Sequence, residues 1–236
     1  MSAVISAVQL HLNRRRAIFL VPLWIAAVVG IISVIIALIF WRGGSQPGTP
    51  DWIQSSQSNP GIVYALGGFL TYLGVSSVAS TYQFALTLGS TRRAFVIGTL
   101  LWQALVAAYV AVVFLVLCLI EIATHHWFVG FYAFDIYALG AGDPWRLLAI
   151  VFLGVLSFLT IGAVFAAAWV RFGLRGPQLL ALGLVVVLGL GIAILVPDFA
   201  AIIAAFRLWW LAVAAAVVVV LASLGTWLLL RSAVIR

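Results

Sequence analysis

The chain has 236 residues, of which 66% are hydrophobic and only 7% charged, and its formal net charge is +7. A soluble domain carries about 25% charged residues, so the composition excludes an ordinary water-soluble globule and predicts an all-α, multi-pass membrane protein in a single domain over residues 1–236. All of the positive charge is arginine, placed singly or in short clusters between apolar runs, which is the pattern of topology signals and not of a nucleic-acid-binding face.

Residues 2–16 read SAVISAVQLHLNRRR. Ile5, Val8 and Leu12 share one helical face and Ser6, Gln9 and Asn13 another, which predicts an amphipathic helix lying in the membrane interface with Arg14, Arg15 and Arg16 at the headgroups. The apolar run 17–41 that follows is too long for the apolar core of a signal peptide and lacks a small-residue cleavage site, so it is the first expected span. Arg42 to Pro60 is rich in Gly, Ser, Gln and Pro and reads as a polar loop.

The second span is expected over 61–83. Gly67, Thr71 and Gly74 recur along it at near-helical spacing, which suits close helix packing or a polar stripe lining a transport path. From Gly61 to Leu88 a continuous helix of 28 residues would run roughly 42 Å, longer than the roughly 30 Å hydrocarbon core, and so would emerge into water. The break FALTLGSTRRAF, Phe84 to Phe95, ends it: Gly89 suits a left-handed helix stop, Ser90 is the expected N-cap of the next helix, and Arg92 and Arg93 hold its start at the charged surface.

The third span is expected over 94–122, with Gln103 its one strongly polar interior residue, expected to face another helix because an amide in lipid needs a partner. Residues 122–146 are dense in aromatics and read as a segment in the interface or re-entering it. Spans over 147–170, 178–196 and 208–230 complete a set of six. Arg171 to Pro177, RFGLRGP, is the basic turn between the fourth and fifth, and Phe199 to Phe206 is a short interfacial or re-entrant helix. The lone Cys118 sits in an apolar run and excludes an intrachain disulfide.

Six spans put both termini on one side. If that side is the cytoplasm, nine arginines lie inside (Arg14, Arg15, Arg16, Arg92, Arg93, Arg171, Arg175, Arg231 and Arg236) and only Arg42, Arg146 and Arg207 outside, as the positive-inside rule favours. No ionisable residue occupies the middle of a span, which lowers the case for a proton- or ion-coupled transporter. Glu121 and His125, four residues apart and followed by His126, are the best candidates for a metal or acid–base site, but further ligands with sensible spacing are lacking. The chain has no lysine and therefore no phosphate-binding loop of the glycine–lysine type, so ATP-driven work would need another polypeptide.

The interfacial helix ending in arginines, the six spans and the turn after the second span together resemble the permease subunits of type-2 ATP-binding-cassette (ABC) exporters. That family carries a comparable L-G-x-[ST]-R-R-x-F stretch, which Leu88, Gly89, Ser90, Thr91, Arg92, Arg93, Ala94 and Phe95 match with an offset of one. The resemblance implies a plasma-membrane subunit that is not itself an enzyme, holds no cofactor or metal and contacts no nucleic acid. It would pair with a second copy or a sister permease and dock a cytoplasmic ATPase carrying ATP and magnesium. The coupling residues would be Phe84 and Leu88 to Arg93, with Arg171 and Arg175 forming a smaller second contact. Only 197–207 is available for the re-entrant pair found in many polysaccharide and lipid exporters, which points away from a large polymer and toward a peptide, drug-like molecule or lipid. The competing readings are a transporter or channel that needs no ATPase and a membrane enzyme with its site near Glu121 and His125.

Overall fold

A computed structural model describes residues 2–12, 16–205, 207 and 209–233. It is 85% helical, and no strand occurs among the described residues. The helices are α1 (Ser2–Leu12), α2 (Val21–Arg42), α3 (Pro50–Gln57), α4 (Gly61–Ala79), α5 (Tyr82–Thr87), α6 (Arg92–Ala123), α7 (Pro144–Phe172), α8 (Arg175–Leu195), α9 (Phe199–Ala205) and α10 (Trp209–Arg231). Six stretches are long and apolar enough to cross a membrane: Ile18–Arg42, Pro50–Thr87, Arg92–Ala123, Pro144–Phe172, Arg175–Asp198 and Trp209–Arg231. Their number is that of the expected spans, and each overlaps one of them, although the second begins at Pro50 and not at Gly61. This is a membrane protein, since in hydrocarbon a helix satisfies all of its own backbone groups.

Two local expectations are corrected. The polar segment 42–60 is not loop throughout: Thr49 Oγ1 accepts from Trp52 N (3.4 Å), Pro50 occupies the first turn, and α3 forms over Pro50–Gln57. The helix from Gly61 does not run unbroken to Leu88. It stops at Ala79 and resumes at Tyr82. The cause is a density of hydroxyls, because Ser76, Ser77, Ser80 and Thr81 all donate back to carbonyls three or four residues earlier. Such bonds compete with the helical ladder and bend it.

Contacts divide the chain into two compact units, one of Met1–His11, Thr71–Leu101 and Leu159–Arg236, the other of Leu12–Leu70 and Trp102–Phe158. In the first unit, backbones approach closely wherever glycine permits. A Cβ on Gly74 would lie 2.2 Å from the Leu159 carbonyl oxygen, and one on Gly162 would lie 2.2 Å from that of Thr71. These two glycines therefore set the contact between α4 and α7, the small-residue packing that membrane helices use in place of bulk hydrophobicity. Gly176 makes the corresponding approach to Ala168 across the α7–α8 turn. α1 lies on α6: a Cβ on Gly98 would meet Ala7 Cβ at 2.6 Å, and His11 Nε2 is 3.0 Å from Thr99 Oγ1. The Thr99 hydroxyl donates to Phe95 O, so His11 is the donor in that pair. Ala7 and His11 are buried while Ile5 stays half exposed. The end of the expected interfacial helix, Asn13 to Arg15, lies outside the described residues, as do Phe206, Leu208 and Arg236.

In the second unit, a π-helical turn over Arg16–Leu20 leads into α2, where Pro22 removes one ladder N–H. The Tyr109 hydroxyl donates to Phe19 O (3.0 Å) with the two rings edge to face. Gly67 receives the Phe158 ring, whose Cζ would be 2.8 Å from an added Cβ. Gln103 is fully buried in protein, away from lipid.

Candidate functional site

The turn between α5 and α6 is built by two successive capping devices. Gly89 has φ +82, its N–H reaches Leu86 O, and the N–H of Ser90 reaches Ala85 O at 3.0 Å, a Schellman closure of α5. Ser90 completes that closure and stands two residues before the start of α6 at Arg92, so it does not cap the next helix. Thr91 does, its Oγ1 accepting from Ala94 N at 3.2 Å, and the expectation for Ser90 is corrected by one residue.

Below the turn, Val78, Tyr82, Ala85, Phe95, Val96, Ala163, Ala166, Ala167, Leu230 and Ala233 form one buried cluster. Two polar ties run from it to the end of α10. The Tyr82 hydroxyl donates to Leu230 O at 3.0 Å, and the Arg92 guanidinium donates to Arg231 O at 2.5 Å and, less closely, to Leu230 O. These are carbonyls that the last helical turn leaves without partners, and a cation there also complements the helix dipole. Arg92 thus faces its own chain. Phe84, Leu88 and Arg93 are exposed, with Phe84 at 53% and Leu88 at 67%.

The α7–α8 turn repeats this surface chemistry. The break itself is confined to Gly173, at φ +65, and Leu174, since α8 already begins at Arg175. Arg171, Phe172, Leu174 and Arg175 are all exposed, with the Arg171 guanidinium 4.7 Å from the centre of the Phe172 ring. Of the sequence-predicted pathway residues, Gly67, Thr71 and Gly74 lie at the helix contacts described above and Gln103 is buried.

A second constellation lies at the other end of α6. Glu121 is fully buried, and its carboxylate accepts from Ala133 N (3.0 Å), Phe134 N (2.8 Å), Asp135 N (3.2 Å) and Trp127 Nε1 (2.9 Å). Three consecutive backbone N–H groups and an indole thus close on one side chain and clamp the loop after α6. The clamp holds an unusual path, in which His125, His126, Trp127 and Phe128 all have positive φ, a conformation costing side-chain-bearing residues roughly 1–2 kcal/mol each. His126 Nε2 lies 3.3 Å from Asp135 Oδ2, and its ring stacks on Tyr132 at 3.9 Å. Burial, then the Asp135 and Glu121 carboxylates and Tyr137, push the Tyr132 hydroxyl above its ordinary pKa. The aromatic segment divides accordingly. Phe131 and Phe134 turn inward, Phe134 edge-on to Phe114, while Phe128, Tyr137 and Trp145 are exposed.

Glu121 and His125 do not converge. Glu121 is enclosed by its four donors and His125 is exposed, and no group of three or more His, Cys, Asp or Glu side chains among the described residues is placed to hold a metal. Sequence reasoning missed Tyr82 and the bond that Trp127 makes to Glu121, and it placed Thr91 in the turn without seeing it as the cap. A single phenol in an apolar helix gives no sign of a partner 148 residues away.

Comparison with known protein families, with curated proteins and with solved structures yields no match to this chain.

Proposed function

We propose that the chain is the membrane-spanning subunit of an ATP-driven exporter, coupled to a separate cytoplasmic ATPase through the α5–α6 turn, with the α7–α8 turn as a second contact. The observation that carries this reading is the shared surface of the two turns: large exposed apolar side chains beside exposed arginines, on backbones fixed by glycine stops. In water such groups favour a protein partner, and arginines beside apolar anchors are what interfaces enrich. Arg92 contributes by tying the turn to α10, so that force applied at the turn reaches a span.

In this reading both termini are cytoplasmic, the membrane is the plasma membrane, and the exposed Ile5 side of α1 rests on the headgroups. A second copy or sister permease completes the translocation path. ATP and magnesium belong to the partner, because a chain without lysine lacks the phosphate-binding loop. The test is co-expression with each ATP-binding-cassette ATPase of the source genome that lacks membrane spans of its own. One of them should co-purify with the chain and support ATP-dependent transport in liposomes, and the chain alone should hydrolyse no ATP. Transport by the chain alone without ATP would sink the proposal in favour of a channel or ATPase-independent transporter.

A further inference from the structure

A cavity of about 480 Å³ lies between the end of α2, the segment 45–59 and Phe131, a size usual for small-molecule sites. Its walls divide by chemistry. Phe40, Trp52 and Phe131 supply aromatic surface, Asp51, Ser55 and Asn59 supply polar groups, and Ile36 extends the apolar side along α2. Asp51 is the sole charged residue among those lining the cavity, and it makes no ion pair among the described residues. Arg42, the nearest arginine in sequence, lines a different cavity beside Trp41.

The aromatic wall is held rigidly. Trp52 Nε1 donates to Gly130 O at 2.7 Å, and the Trp52 and Phe131 rings meet edge to face at 6.4 Å. Phe131 N in turn donates to His126 O, which places both Phe131 and Gly130 in the loop that Glu121 clamps. The cavity wall is therefore pre-formed and does not have to assemble around a ligand. Trp41 and Arg42 end α2 beside it, the residue pair expected at headgroup depth.

An exposed carboxylate that lines the same cavity as three aromatic side chains, with an apolar helix leading away from it, is complementary to a cation on an alkyl chain. We infer that this cavity binds amphiphiles carrying an ammonium group, the cation against Asp51 and the aromatic wall and the chain along Ile36 and Phe40. The ammonium can belong to a free amphiphile or to a phospholipid headgroup. The site stands independently of the exporter reading, since it concerns binding and not energy supply.

The test is calorimetric titration of octyltrimethylammonium into the full chain in phosphatidylglycerol nanodiscs, which carry no ammonium, with empty nanodiscs subtracted. Saturable binding is expected, weakened about tenfold by Asp51→Asn, as loss of one charge contact implies, and retained in Asp51→Glu. Ser55→Trp, at an exposed position, should abolish binding by filling the cavity without altering thermal stability. 1-Octanol should show no saturable binding. With neutral galactolipid nanodiscs as the ammonium-free reference, weaker binding in phosphatidylcholine nanodiscs would identify the lipid headgroup as the occupant, and unchanged binding the free amphiphile, both upholding the ammonium site. Equal affinity in Asp51→Asn and the unsubstituted chain, or equal saturable binding of 1-octanol, would overturn it.

Discussion

Arg92 and Arg93 are neighbours in sequence and opposites in role. Arg92 reaches the last carbonyls of α10, whereas Arg93 points to solvent. Arg92→Gln should therefore lower stability by about 1 kcal/mol, the value of a charge-assisted bond discounted for partial exposure, and Tyr82→Phe should cost about as much through its lost bond to Leu230. Arg93→Glu should leave the melting temperature unchanged, and thermal unfolding in detergent distinguishes the two arginines. Glu121 is more consequential. Glu121→Ala strands three backbone N–H groups and an indole N–H in a buried site, and should cost about 3 kcal/mol or more. Its signature should be faster hydrogen exchange at Ala133, Phe134 and Asp135 while amides in the middle of α6 stay protected. None of this was legible beforehand. An acidic residue at the end of an apolar run looks like a boundary marker, and its partners lie 12 to 14 residues on in a loop without periodicity.

At the scale of elements, hydropathy located the spans because period and length suffice for helices in lipid, but helix ends depended on competing hydrogen bonds. Gly89 was readable as a stop because only glycine takes φ +82 without strain. The cap that follows was misplaced because Ser90 and Thr91 are both competent, and sequence does not say at which of them the helix starts; α6 begins at Arg92, which makes Thr91 the cap. The break at Ser80 was hidden in a run that is apolar on average yet carries four back-bonding hydroxyls. Glycines separate in the same way. Gly74→Ala sets a Cβ against a backbone carbonyl that cannot yield, so it should destabilise by about 3 kcal/mol, the upper end of overpacking costs. In Gly183 of α8 an added Cβ meets nothing within 4 Å, so Gly183→Ala should stabilise by about 0.5–1 kcal/mol through helix propensity. A pair of thermal melts decides whether the α4–α7 contact is as close as described.

For the whole molecule, the proposed function requires the orientation that arginine placement favours, with both termini and both turns in the cytoplasm. Cys118 is buried, so single cysteines can be introduced without removing it. Ser55→Cys should label with an impermeant maleimide from outside intact cells and Thr91→Cys only after the membrane is opened, and the reverse order would place the turns on the wrong side for an ATPase. The number of spans was legible because length and hydropathy act through sequence alone. The amphiphile cavity was not, because it depends on α3 and on a clamped loop that brings Phe131 next to residues some 80 positions earlier.

The most direct measurement is the affinity of the purified chain for its ATPase, comparing the unsubstituted protein with Leu88→Ala combined with Arg93→Glu. Both residues are exposed and neither holds the fold, so the melting temperature should be unchanged. Affinity should fall at least about tenfold, as expected when an apolar anchor and a charge are lost together from an interface. An unchanged affinity in a fully stable double variant would contradict the account and reduce the α5–α6 turn to a connector.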